Sequence, residues 1–108
     1  MNKISWNRYN ARADVIKAMA HPTRLMIIEE LSTGERCVCE LTGLAGADTS
    51  TVSKHLSVLK NAGIVQDDKR GQMVFYNLTM PCVLKFLSCI ETVIQERAKA
   101  QHALAGME

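Results

Sequence analysis

The chain has 108 residues, a net charge of +2, 47% apolar content and four cysteines. That length suits one domain with a modest core, and so slight a charge does not by itself announce nucleic acid. No apolar run is long enough to span a bilayer, and the opening MNKISWNRYN has no continuous apolar stretch of a secretory signal. A cytoplasmic location is therefore expected, with the cysteines as thiols rather than a disulfide framework. Two prolines and few aromatics tilt the reading towards helix.

Residues 11–20 have helical spacing, with Ala13, Ile16 and Ala20 on one face. Pro22 suits the first turn of a second helix, where its missing N–H costs nothing. That helix turns Leu25, Ile28 and Leu31 inward and ends near Ser32-Thr33-Gly34. A short helix follows over residues 38–45, with Val38, Leu41 and Ala45 on one side, and Gly46 breaks it. Asp48 is placed to cap the next helix, which runs to about Asn61, with Gly63 suited to its C-terminal cap. Residues 64–67 and 73–78 read as strands around Lys69-Arg70-Gly71-Gln72, a hairpin. Thr79 and Pro81 open a long last helix reaching about Ala100. The prediction is one continuous domain over 1–108, mainly α with a small β-hairpin, in the order α-α-α-α-β-β-α.

The stretch LTGLAGADTSTVSKHLSVL, from Leu41 to Leu59, has the composition of a helix-turn-helix. In its second helix Val52, Leu56 and Leu59 recur at core spacing. Ser50, Ser53, Lys54, Ser57 and Asn61 take the opposite face. Short hydroxyls let a backbone lie close to base edges, and Lys54 brings charge to phosphates. The basic hairpin tip can reach flanking phosphates, although Asp67 and Asp68 offset part of its charge.

With AHPTRLMII, CVCEL, TSTVSKHLSVLKNAGIV and RGQMVFYNL in this order, the chain resembles the ArsR/SmtB family of metal-responsive bacterial repressors. The resemblance covers most of the chain. It implies a winged helix-turn-helix that binds operator DNA, an inverted repeat, as a homodimer built from the first and last helices. It implies neither an enzyme nor an organic cofactor. By position, Thr49, Ser50, Thr51, Ser53, Lys54 and His55 form the DNA-facing set, with Arg70 and Gln72 on the wing. His55 has an alternative as a half-buried histidine packed behind the helix.

Cys37-Val38-Cys39 lies at a helix start, where exposed N–H groups and the adjacent Arg36 favour thiolate. The spacing is not that of C-x-x-C redox enzymes. The pair resembles the metal box of the family's arsenic- and cadmium-responsive members. That makes Cys37 and Cys39 the metal ligands and arsenite or antimonite the inducer, with cadmium or lead if a fourth donor exists. A third cysteine often follows three residues after the second in such arsenic sensors; here that position is Thr42. Cys82 and Cys89 are the other candidates. They lie about 10 Å apart along a helix axis, so at most one joins the pair. The family's zinc site on the last helix has no counterpart in Glu91, Glu96 and His102. A thiol-oxidation or persulfide sensor on the same fold is the alternative. Because side chains two apart on a helix diverge, ligand binding is expected to unwind the start of the short helix and misplace Ser53 and Lys54.

Overall fold

The computed structural model describes residues 4–106. Its elements are α1 (Trp6–Met19), α2 (Pro22–Leu31), β1 (Arg36–Cys37), α3 (Val38–Ala45), α4 (Thr49–Asn61), β2 (Val65–Arg70), β3 (Met73–Leu78) and α5 (Val83–Gly106). The predicted helices and hairpin are all present, and a two-residue strand is added to them. β1 pairs antiparallel with β3, Arg36 opposite Tyr76 and Cys37 opposite Phe75, giving a three-stranded sheet ordered β1-β3-β2.

The central helices begin where side chains satisfy their open backbone groups, and α3 and α4 end at glycines. His21 caps α2: its Nδ1 accepts from the Thr23 N–H at 3.1 Å, and Pro22 occupies the first helical position. α3 has a reciprocal cap. The Glu40 N–H donates to the Cys37 sulfur at 3.3 Å, and the Cys37 N–H donates to the Glu40 carboxylate at 3.2 Å. Gly46, at φ 63°, ends that helix in the left-handed region. Asp48 caps α4 by accepting from the Thr51 N–H at 2.8 Å. At its far end the Ile64 N–H reaches the Leu59 carbonyl and the Gly63 N–H the Lys60 carbonyl, 3.0 and 2.9 Å. This crossed closure needs the left-handed backbone that Gly63 supplies, φ 80°.

These ends turn one set of apolar side chains to a common core. Ile27 and Ile28 of α2, Leu41 of α3, Val52, Leu56 and Leu59 of α4, Ile64 and Val83 are almost wholly shielded from solvent. The hairpin is tighter than the four-residue tip predicted. Arg70 pairs with Met73, which leaves two turn residues, Gly71 and Gln72. Gly71 takes φ 62°, the conformation that lets a two-residue loop match the twist of its strands.

The outer helices depart from the predicted bounds. α1 starts five residues before Ala11, on residues that are all exposed and so carry no core periodicity. Its buried positions are Ala18 and Met19, while Ile16 is 50% exposed. α5 starts at Val83 rather than at Thr79 or Pro81. Thr79 is used instead to close the sheet, its hydroxyl donating to the Gly63 carbonyl at 2.9 Å. α5 packs only at its beginning; every residue from 88 to 106 is exposed. Ile90 and Ile94, one helical turn apart, are open to solvent. Among the described residues no helix is long and apolar enough to cross a membrane.

Candidate functional site

The outer face of α4 is polar. Thr49, Ser50, Thr51, Lys54 and Ser57 are exposed and Ser53 is half-buried. The Asp48 cap organises its first turn. The carboxylate also accepts the Ser50 hydroxyl at 3.0 Å, and hydrogen bonds from Thr51 and Ser50 hold its pKa below the ordinary value. Lys54 and Lys69, on α4 and the wing, are exposed and make no ion pair among the described residues.

His55 does not belong to that face. It turns behind α4 towards α2, as the packed alternative has it, where its Nδ1 accepts from Arg24 Nε at 3.1 Å. Its ring lies 4.3 Å from that of His21, centroid to centroid. Burial first, then the charges of His21 and Arg24, lowers its pKa. A neutral ring whose free nitrogen accepts from a guanidinium is held for packing, not aimed at a groove.

Arg70 is at the wing, as predicted, but its charge is already engaged. Its two terminal nitrogens meet the Glu35 carboxylate at 2.7 and 2.8 Å, and Nε meets Asp68 at 2.9 Å. The guanidinium also lies 4.5 Å from the centre of the Phe75 ring. The Glu35 hydrogen bond, ahead of Asp68, raises the Arg70 pKa, and the same bond holds Glu35 below the ordinary carboxylate value. Glu35 lies outside every motif, and its partner is 35 residues away. No local spacing could have signalled it. Gln72 stays exposed beside the turn glycine.

Cys37 and Cys39 are joined as a disulfide, contrary to the expectation of two free thiols. The geometric objection to their meeting also fails. Cys37 is the cap rather than a helical residue, with extended φ and ψ of −77° and 159°. Its side chain thus swings over the first turn to reach Cys39 while α3 stays helical from Val38. Cys37 is 2% exposed, whereas Cys39 is open to solvent. The pair borders a cleft of about 330 Å³, whose other walls include Thr49 and Ser53 of α4 and Gln72 and Met73 of the wing. Among the described residues no third His, Cys, Asp or Glu completes a metal-holding group. Cys82 and Cys89 are free and exposed.

An apolar groove of about 400 Å³ runs between α1 and the start of α5, walled by Val15, Ile16, Met19, Met80, Val83 and Phe86. Ile90, Val93 and Ile94, further along α5, are also exposed.

Residues 21–67 match the sequence profile described as "Bacterial regulatory protein, arsR family". The biofilm growth-associated repressor of Xylella fastidiosa is 33% identical over 92 residues, 85% of this chain and 81% of that protein. Among solved structures, the homodimeric winged helix-turn-helix DNA-binding domain of Mb0332 from Mycobacterium bovis superposes with TM-score 0.76 at 27% identity, covering 92% of this chain and 94% of that one. The AntR antimony-specific transcriptional repressor superposes at 0.75 with 26% identity, covering 92% and 90%.

Proposed function

From the premise that the chain belongs to the arsR family of bacterial regulatory proteins, and is a DNA-binding transcription regulator rather than an enzyme, we propose that it is a homodimeric repressor whose hold on its operator is set by the Cys37–Cys39 sulfurs. One observation carries this reading: the two bonded cysteines border a cleft that residues of α4 and of the wing also line. A ligand or bond at the sulfurs therefore acts on the elements that meet DNA.

On this reading α4 enters the major groove. Thr49, Ser50, Thr51 and Ser53 approach base edges and sugar-phosphate, Lys54 takes a phosphate, and Gln72 and Lys69 reach the flank from the wing. Two copies pair through α1 and α5, so the operator is an inverted repeat with half-sites near one helical turn apart. That a structural relative is a homodimeric DNA-binding domain supports the pairing of two copies.

The inducer proposed is a thiophilic trivalent oxyanion, arsenite or antimonite. Soft thiolates select soft ions, and a structural relative is an antimony-specific repressor. With two sulfurs from this chain, the third position on such a centre is left to hydroxide. The disulfide itself favours a second reading, oxidation. There the exposed Cys39 thiolate attacks the O–O bond of a peroxide and becomes a sulfenic acid as one water leaves. Cys37 then displaces the second water and closes the disulfide, so two thiols give two electrons to one peroxide.

One titration tests both readings. Reduced protein bound to operator is challenged with arsenite, antimonite, cadmium, lead, zinc and hydrogen peroxide. Cys37→Ser and Cys39→Ser should still bind operator and ignore the effective agent. A double variant that still releases DNA on addition of that agent would move the sensor elsewhere.

A further inference from the structure

Three features meet across the sheet, over its central strand β3. Cys37 is the β1 residue that pairs with Phe75 of β3. The Arg70 guanidinium lies over the Phe75 ring, 4.5 Å from its centre. Glu35, two residues before Cys37, takes both terminal nitrogens of Arg70 at 2.7 and 2.8 Å. The sulfur pair, the short strand and the wing arginine are thus neighbours in space, although Glu35 and Arg70 are 35 residues apart in sequence. We infer that Glu35 is a latch: with the Cys37–Cys39 bond closed, it withholds the wing charge of Arg70 from DNA, and opening the bond lets Arg70 go to a phosphate. This inference rests on the sensing role proposed for the sulfur pair.

The physical case begins with β1. A strand of two residues has little to hold its register beyond two ladder positions. The sulfur bridge supplies a further constraint by tying Cys37 to the first turn of α3. While the bridge is closed, residues 35–37 lie against β3 and Glu35 sits beneath Arg70. Two carboxylates, Glu35 and Asp68, then saturate the guanidinium. A phosphate must displace them to reach it. All three side chains are about half exposed, and an exposed ion pair of this kind is weak. It is therefore an interaction that a modest shift of residues 35–37 can undo, as a switch requires. The DNA-binding role expected of Arg70 and its pairing with Glu35 are reconciled as two states of one residue.

The test compares wild type and Glu35→Gln in two forms: reduced with dithiothreitol, and closed with one equivalent of hydrogen peroxide, which takes two electrons and two protons from the thiols and leaves as two waters. Operator affinity is measured across salt concentrations. Glu35→Gln is expected to tighten the disulfide form about two- to fivefold and to steepen its salt dependence by about one unit for each phosphate that Arg70 newly reaches. The reduced form should change little, so the ratio between the two forms narrows. Equal tightening of both forms overturns the latch, because simple removal of a negative charge near DNA predicts that result. A second measurement needs no DNA. Amides of β2 and β3 should exchange faster in reduced wild type than in the disulfide form, and the disulfide form of Glu35→Gln should resemble the reduced protein. Identical wing exchange in both forms of wild type overturns the latch. Wing exchange that responds while operator affinity does not would overturn the latch together with the sensing role of the sulfur pair, whereas affinity that responds while wing exchange does not would overturn the latch alone.

Discussion

Thr42 stands where the arsenic-sensor pattern carries a third cysteine, and its hydroxyl is buried without a hydrogen-bond partner among the described residues. A buried hydroxyl left in this way is a standing cost, so Thr42→Val should raise the unfolding free energy by about 1 kcal/mol in urea titration. Thr42→Cys should instead tighten arsenite binding to the reduced protein, because one helical turn places it on the side of Cys39. His55 carries a different prediction. Its folded pKa lies below the ordinary 6.5, so the unfolded chain takes up a proton more readily than the folded one. Stability is then fully present above about pH 6.5 and falls as the pH drops through the lowered value. The urea midpoint of wild type should decline from pH 7 to about pH 5 more steeply than that of His55→Gln. Neither the inward turn of His55 nor the engagement of Arg70 could be read from spacing. Their partners lie 31 and 35 residues away, and a helical wheel records only neighbours.

α4 was legible from end to end because both of its termini are chemical. Asp48 accepts from the first turn, and Gly63 adopts a backbone that other residues resist. Space for a methyl group is open at Gly63, so Gly63→Ala should cost about 1–2 kcal/mol through backbone conformation alone, measurable by thermal unfolding. Lys54 projects from the exposed face of the same helix. Lys54→Ala should weaken binding on every DNA sequence alike and flatten the salt dependence by about one unit, in filter-binding or fluorescence titrations, as removal of one phosphate-neutralising charge requires. An unchanged slope with altered base preference would assign Lys54 to a base edge instead. β1 escaped notice for the opposite reason. Two residues offer no alternation to read, and their partners on β3 come 38 to 40 positions later. The cysteine pair was legible as a pair. Its geometry was misjudged because a cap residue keeps strand-like angles, which free its side chain from helical spacing.

The outer helices carry an apolar face that the rest of the described chain leaves uncovered. Apolar periodicity along α5 is plain in the sequence, yet Ile90, Val93 and Ile94 are all exposed. Periodicity marks a face that avoids water; it does not say which chain covers that face, so the stripe does not belong to this chain's own core. On the proposed pairing, Ile90→Asp with Ile94→Asp should sediment as a single copy and no longer bind operator, while keeping the helix-turn-helix. A wild type that sediments as a single copy at micromolar concentration, and still grips an isolated half-site tightly, would overturn the pairing.

On the proposed pairing, the bare stretch of α5 from residue 88 to 106 also bears on dosage. Below the dissociation constant of a pair, the population of paired chains grows as the square of the chain concentration, and operator occupancy follows the pairs. Halving the supply of chain then cuts occupancy about fourfold rather than twofold. A gene under such control switches over a narrow range of repressor abundance, before any inducer arrives.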